Sequence, residues 1–157
     1  MNILDEIVAN TKAKVSIAKE KVSLDDLVST IHSNKIVKSK FKTSLKDKDQ
    51  AIIAEIKKAS PSAGVISENF DPVTKAQEYE AFGASALSIL TEEDYFLGST
   101  QYLKDVKKIS KLPILRKDFI VDIYQIYESK LIGSDCILLI ASILSDYELN
   151  DFTQLAD

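Results

Sequence analysis

Apolar, β-branched runs and amphipathic stretches alternate along this chain from about residue 50 onward. The runs lie at Ala51–Ile56, Ala84–Leu90, Pro113–Leu115 and Cys136–Ile140. Each is followed by a segment with helical spacing. Val73, Ala76, Tyr79 and Phe82 mark the first such segment, with Asp71 as N-cap, Pro72 at the first helical position and Gly83 as the stop. Ser99 begins the second, with Tyr102, Leu103, Val106 and Ile109 on its stripe. Asp122 begins the third (Ile123, Ile126, Tyr127, Leu131) and Asp146 the fourth (Leu149, Phe152, Leu155). Strand–helix repetition of this kind predicts parallel strands joined by crossover helices. Continuously apolar strands predict a sheet covered on both faces.

The first 50 residues read differently. Ile3, Leu4, Ile7, Val8, Thr11 and Val15 form one helical stripe, and a second helix is expected over Leu24–Ile31. The charge-rich stretch 35–50 reads as an exposed connector. The expected division is therefore 1–50, a helical extension with its connector, and 51–157, four βα units.

Composition narrows the function. Of 157 residues, 45% are hydrophobic and 28% charged, the profile of a soluble globular protein. A net charge of −4 gives no basic excess for neutralising a nucleic-acid backbone, so no nucleic-acid partner is expected. The N-terminus lacks a signal-peptide layout, and the longest apolar run, Cys136–Ala141, is too short to cross a bilayer. With a single cysteine, Cys136, no internal disulfide can form, and a cytoplasmic, membrane-free protein is expected.

Candidate chemistry sits at the strand ends. Side chains alternate along a strand, so Glu55 and Lys57 share a face at the end of the first strand. The spacing alone also fits a surface salt bridge. The Ser60-Pro61-Ser62 turn and the long connection 58–69 add weight to a functional reading, since long loops in compact domains tend to carry function. The third strand ends Leu115-Arg116-Lys117-Asp118-Phe119, with Leu115, Lys117 and Phe119 on one face and Arg116 and Asp118 on the other. An Arg116–Asp118 structural pair with Lys117 reaching out to solvent explains it equally well. Glu92-Glu93-Asp94 resembles a metal site only superficially, and a solvated helix start accounts for it better, whereas Phe96 in this polar loop suits a stacking wall. His32 has no catalytic partners in its pattern, Cys136 reads as a packed apolar group, and no glycine-rich phosphate loop is present.

Several ordered stretches resemble the indole-3-glycerol-phosphate synthase family of tryptophan biosynthesis. They are Ile53-Ala54-Glu55-Ile56-Lys57-Lys58-Ala59-Ser60-Pro61-Ser62, Leu87-Ser88-Ile89-Leu90-Thr91-Glu92 with Tyr95-Phe96-Leu97-Gly98-Ser99, Pro113-Ile114-Leu115-Arg116-Lys117-Asp118-Phe119-Ile120, and Ile137-Leu138-Leu139-Ile140. The resemblance implies an α/β, TIM (β/α)8-barrel fold, of which this chain covers an N-terminal helical extension and the first four βα units. It implies a lyase that closes the indole ring of 1-(2-carboxyphenylamino)-1-deoxyribulose 5-phosphate, with loss of carbon dioxide and water and with no metal or organic cofactor. By similarity, Lys117 is the general acid, Lys57 binds the substrate's anionic groups and assists dehydration, and Glu55 orients the lysines. Phe96 and Phe119 flank the anthranilate ring, and Ser60 belongs to the loop that closes over it.

The resemblance covers nearly all of this chain but only about three-fifths of the family's usual length, and four of the eight strands of such a barrel. Later family strands, with a second glutamate and the phosphate-binding glycines, have no counterpart here. The chain alone is therefore expected to be inactive or nearly so, and to self-associate through open strand edges. The other readings are a non-catalytic half-barrel that binds a ligand or partner, and a related isomerase of the same pathway. The isomerase's chemistry calls for a Cys/Asp pair, which Cys136 does not supply.

Overall fold

The computed structural model describes residues 2–33, 38–46 and 48–157. These form two compact units: one from residues 2–33, 119–131 and 137–157, the other from 38–46, 48–118 and 132–136.

The first unit is helical. Helix α1 (Ile3–Lys21) starts at a capping box. Asp5 N–H donates to Asn2 Oδ1 at 2.9 Å, and Asn2 N–H donates back to Asp5 Oδ2 at 3.2 Å. Two orphan donors of the first turn are thereby satisfied. The expected stripe is buried at Ile7, Thr11 and Val15, whereas Ile3 is exposed. Helix α2 covers Leu24–Ser33. Val15 and Leu27 pack with Tyr124 of helix α6 (Ile123–Ile132), supported by Ala18, Leu24, Tyr127 and Leu131. Lys19 pairs with Asp122 at 2.7 Å beside this cluster. A second cluster joins Ile120, Ile126 and Phe152, the last from helix α7 (Asp146–Ala156). This helix begins at Asp146, as the sequence predicts, with Ser145 as its N-cap. The Ser145 hydroxyl accepts from Glu148 N–H, and the Glu148 carboxylate accepts from Ser145 N–H, a capping box.

The second unit carries the sheet. Strands β1 (Ile53–Ile56), β4 (Ala86–Leu90), β5 (Ile114–Lys117) and β6 (Cys136–Ile137) lie in the order β1-β4-β5-β6. The β1/β4 and β4/β5 pairs are parallel. Helix α4 (Pro72–Ala81) connects β1 to β4, and α5 (Thr100–Ile109) connects β4 to β5. Asp71 and Ser99 cap these helices as the sequence predicts. One face of the sheet buries Ile56, Leu87, Ile89 and Ile114 against Ala76, Leu103 and Val106 of the helices, with Ile132 completing the cluster. Each such large aliphatic side chain contributes roughly 1.5–3 kcal/mol relative to exposure.

Several boundaries differ from the sequence reading. Phe82 is 89% exposed and ends the α4 stripe, because the chain turns at Gly83 with φ +86. The fourth strand stops at Ile137, and Ala141–Ile143 forms a 3-10 turn. A short apolar run does not by itself fix where ladder bonding stops. The third strand runs on to Lys117, held where Thr91 N–H donates to the Lys117 carbonyl at 3.1 Å. Within the supposed connector, Phe41–Lys46 is helix α3 with Phe41 buried, since an aromatic among lysines still gains by leaving water. The rest of that stretch at 35–37 and 47 lies outside the described residues. The long connection 58–69 contains an antiparallel hairpin, β2 (Ala59–Ser60) with β3 (Gly64–Val65). Gly64 supplies the φ of +65 that its turn requires.

Candidate active site

Register brings the charged strand ends together. Glu55 is level with Ser88, and Ser88 with Leu115; two residues further on, Leu90 is level with Lys117. Glu55 and Lys57 share the face opposite Ile56, and Lys117 shares the face opposite Ile114 and Arg116. The result is a bridge. Glu55 Oε1 stands 2.8 Å from Lys57 Nζ, and Glu55 Oε2 stands 2.9 Å from Lys117 Nζ. All three side chains are about one-third exposed (32%, 32% and 37%), open enough for a ligand to reach.

Two forces act on the Glu55 carboxyl. Partial burial pushes its pKa up, while hydrogen bonds and charge from Lys57 and Lys117 pull it down. The lysines prevail, and the carboxyl lies below the ordinary glutamate value of 4.5. The site is thus a carboxylate between two ammonium groups. It can hold an anion at either lysine.

The backbone of Glu55 is anchored as well, since the Tyr79 hydroxyl of α4 donates to its carbonyl at 3.3 Å. On this side of β1 lies a cleft of about 350 Å³. Glu55, Lys57, Asn69, Thr74, Glu78 and Tyr79 are among its walls; Lys117, Ser60 and Phe96 are not.

The opposite face of β5 has a separate polar cluster. Arg116 and Asp118 are 4% and 7% exposed and pair at 3.1 Å. Arg116 Nε donates to the Thr91 hydroxyl at 3.0 Å, and that hydroxyl donates to Asp118. The alternative of a structural Arg116–Asp118 pair therefore describes this face, but Lys117 meets Glu55 instead of simply reaching into solvent.

The remaining candidates are placed singly. Ser60 lies in the β2–β3 hairpin, where its hydroxyl accepts from Ala63 N–H at 3.2 Å and lies 3.4 Å from the Ser62 hydroxyl. Phe96 sits in the loop after β4, with its backbone N–H on Glu92 Oε2 at 3.0 Å. Phe119 belongs to the helical unit, where its carbonyl accepts from Gln125 Nε2 at 3.0 Å. The structure thus joins Glu55, Lys57 and Lys117 directly, and shows Ser60, Phe96 and Phe119 on other partners.

One expectation for this region is overturned. Glu92 is not solvated: it is 5% exposed and accepts three backbone N–H bonds. The sequence signal that could have found it is the position itself, a carboxylate straight after a buried strand and ahead of a Gly-Ser turn. Among the described residues, no group of three or more His, Cys, Asp or Glu could hold a metal ion. No helix among them is long and apolar enough to cross a membrane.

Parallel strands in chain order, crossover helices and charged groups gathered at the strands' C-terminal ends define a (β/α)-barrel-type chain. Comparison with known families gives the particular one. Residues 4–157 match the family model described as indole-3-glycerol phosphate synthase, and the chain belongs to that family. It is 50% identical to the indole-3-glycerol phosphate synthase of Ruminiclostridium cellulolyticum, across 99% of this chain and 60% of that protein. It is 54% identical to that of Clostridium acetobutylicum, across 92% of this chain and 55% of that protein. For Campylobacter fetus the identity is 50%, over 98% and 60% respectively. The chain thus spans somewhat more than half the length of these relatives.

Proposed function

We propose that the protein carrying this chain closes the indole ring of 1-(2-carboxyphenylamino)-1-deoxyribulose 5-phosphate to give indole-3-glycerol phosphate. The observation that carries this reading is the Lys57–Glu55–Lys117 bridge at the strand ends of a chain of this family. The ring carbon that bears the carboxylate attacks the ketone carbon. Lys117 gives its proton to the ketone oxygen as the new bond forms. Carbon dioxide departs with its bonding pair left in the ring, and water then leaves. Lys57 holds the substrate's anionic groups and assists the dehydration. Glu55 keeps both ammonium groups aimed, which preserves the geometry a proton transfer needs. Phe96 and Phe119 flank the anthranilate ring, and Ser60 moves with the hairpin that closes over it.

The organisation that goes with this reading is a helical extension over 1–50 and βα units over 51–157. The setting is the cytoplasm, and the substrate is a phosphorylated small molecule. Self-association is part of the proposal. β1 is an edge strand, with Ile53 44% exposed and Ile52 just before it 60% exposed, a surface that another chain can pair with. Sedimentation of the 157-residue chain showing only monomer would count against that part.

The catalytic reading is tested in a hybrid protein. Residues 1–157 are joined to the segment of the Clostridium acetobutylicum protein that lies beyond the matched region. Ring closure is expected, followed by indole fluorescence against a chain segment with no Trp. It should disappear in Lys117→Ala. A well-folded hybrid without ring closure would refute the reading.

A further inference from the structure

The loop between β4 and α5 is built around one carboxylate. Glu92 Oε1 accepts from Asp94 N–H at 3.0 Å, and Oε2 accepts from Tyr95 N–H at 2.8 Å and Phe96 N–H at 3.0 Å. The Glu92 carbonyl accepts from Gly98 N–H at 2.7 Å, and the Leu90 carbonyl accepts from Ser99 N–H at 3.3 Å. The loop therefore leaves and rejoins the sheet at nearly the same place. Leu97 has φ +52, and no other non-glycine among the described residues has a positive φ. At Gly98 a Cβ would stand 2.5 Å from the Leu90 carbonyl oxygen and 2.7 Å from that of Glu92. A strained residue next to a contact this close persists only where its surroundings over-determine it. The buried carboxylate does so, because three N–H groups directed at one anion leave the backbone of 94–96 a single arrangement.

We propose that Glu92 is a positioning residue for substrate binding: it fixes the backbone that presents Phe96 to the aromatic part of the ligand. This rests on the reading that Phe96 walls the anthranilate ring. β4 runs beside β5, with Leu90 level with Lys117 and Thr91 N–H on the Lys117 carbonyl. The loop therefore springs from the strand next to the one that carries the proton donor. Glu92 contacts backbone amides and not Lys117 in this arrangement, so its effect falls on affinity and leaves proton transfer alone. Gln in its place keeps the shape but turns an –NH2 toward N–H donors, and the loop loses its single solution.

The test uses the hybrid protein that carries residues 1–157. The probe is indole-3-glycerol phosphate, titrated at equilibrium for its Kd. Glu92→Gln is expected to weaken binding roughly tenfold, the scale of a lost hydrogen bond to a charged group. Phe96→Ala should weaken it as well. With Phe96 already replaced by Ala, Glu92→Gln should add less than about twofold, because its effect travels through that ring. Equal losses in both backgrounds would overturn the proposal, as would unchanged affinity in Glu92→Gln. Should Glu92→Gln not fold, Glu92→Asp keeps the charge on a shorter arm, and the same cycle applies to it with the same criteria. An unchanged Kd in Phe96→Ala would sink the aromatic-wall reading and this inference together. A weakened Phe96→Ala beside an unaffected Glu92→Gln sinks this inference alone.

Discussion

Glu55 and Lys117 meet at 2.9 Å across 62 residues of sequence, and the second oxygen of the same carboxylate meets Lys57 at 2.8 Å. One acid thus aligns two ammonium groups delivered by different strands.

Removing Lys117, the proposed proton donor, should strike the rate far more than the fold. In the hybrid protein, Lys117→Met is expected to lower kcat roughly 10²–10⁴-fold, the usual share of a positioned acid. Its side chain is 37% exposed, so the loss in stability should stay below about 1 kcal/mol. Steady-state kinetics and urea denaturation measure the two. An equal loss of both would mean that Lys117 is mainly a structural residue.

Acid should loosen the bridge in a defined direction. The Glu55 pKa is held below 4.5, so in the folded state Glu55 gives up its proton more readily than in the unfolded chain. Its contribution is complete above the unfolded value and disappears as pH falls through the folded one. Asp71 and Glu148 are shifted the same way, by the Thr74 hydroxyl and by the Ser145 backbone N–H respectively. Stability should therefore fall below about pH 4.5, and Glu55→Gln should flatten part of that fall. Thermal melts from pH 3 to pH 7 test this, and identical pH curves for both proteins would contradict it.

The buried pair on the other face of β5 should be costly to break. Asp118→Asn removes the carboxylate charge beside a guanidinium that is 4% exposed, and it should cost ~3–5 kcal/mol. Arg116→Met combined with Asp118→Leu should recover more than half of that loss, since well-packed apolar groups replace such pairs at little cost. Urea midpoints of the three proteins decide the matter. A double variant no better than Asp118→Asn would show that the cluster's hydrogen bonds matter more than its charges.

Gly98 should tolerate no side chain. Its missing Cβ faces backbone oxygens, which cannot swing aside as the end of a flexible side chain can. Gly98→Ala is expected to cost ~2 kcal/mol or more, whereas Gly64→Ala, with open space around it, should lose only ~1–2 kcal/mol for its φ of +65. Differential scanning calorimetry of both variants checks the order, and a reversed order would show that the loop after β4 can shift.

Much of this was legible in the sequence. Continuous apolar runs located β1 and β4, and the 3.6-residue period located α4 and α5, because side chains from all four pack into one apolar core. Asp71 and Ser99 announced their helices because a capping oxygen acts within three residues of sequence. Glu55 and Lys57 could be placed on one face by counting, and the meeting with Lys117 became legible through the family resemblance. What stayed hidden depends on tertiary company. Phe82 follows the helical period yet lies in water, because the chain turns one residue later. The reciprocal bonding of Ser145 with Glu148 at the start of α7 was not singled out either. Glu92 looked like one of three solvated acids, and only the folded loop shows its carboxylate surrounded by N–H groups.

The Thr91–Arg116–Asp118 cluster also acts as a register lock. Sliding β5 by one residue exchanges its faces. Arg116 and Asp118 would then stand where Lys117 meets Glu55, and Lys117 would be pressed into the space where Thr91 and Asp118 receive a guanidinium. Neither face can accept the other's residues, so a buried ion pair on the far side of β5 dictates which basic side chain meets Glu55.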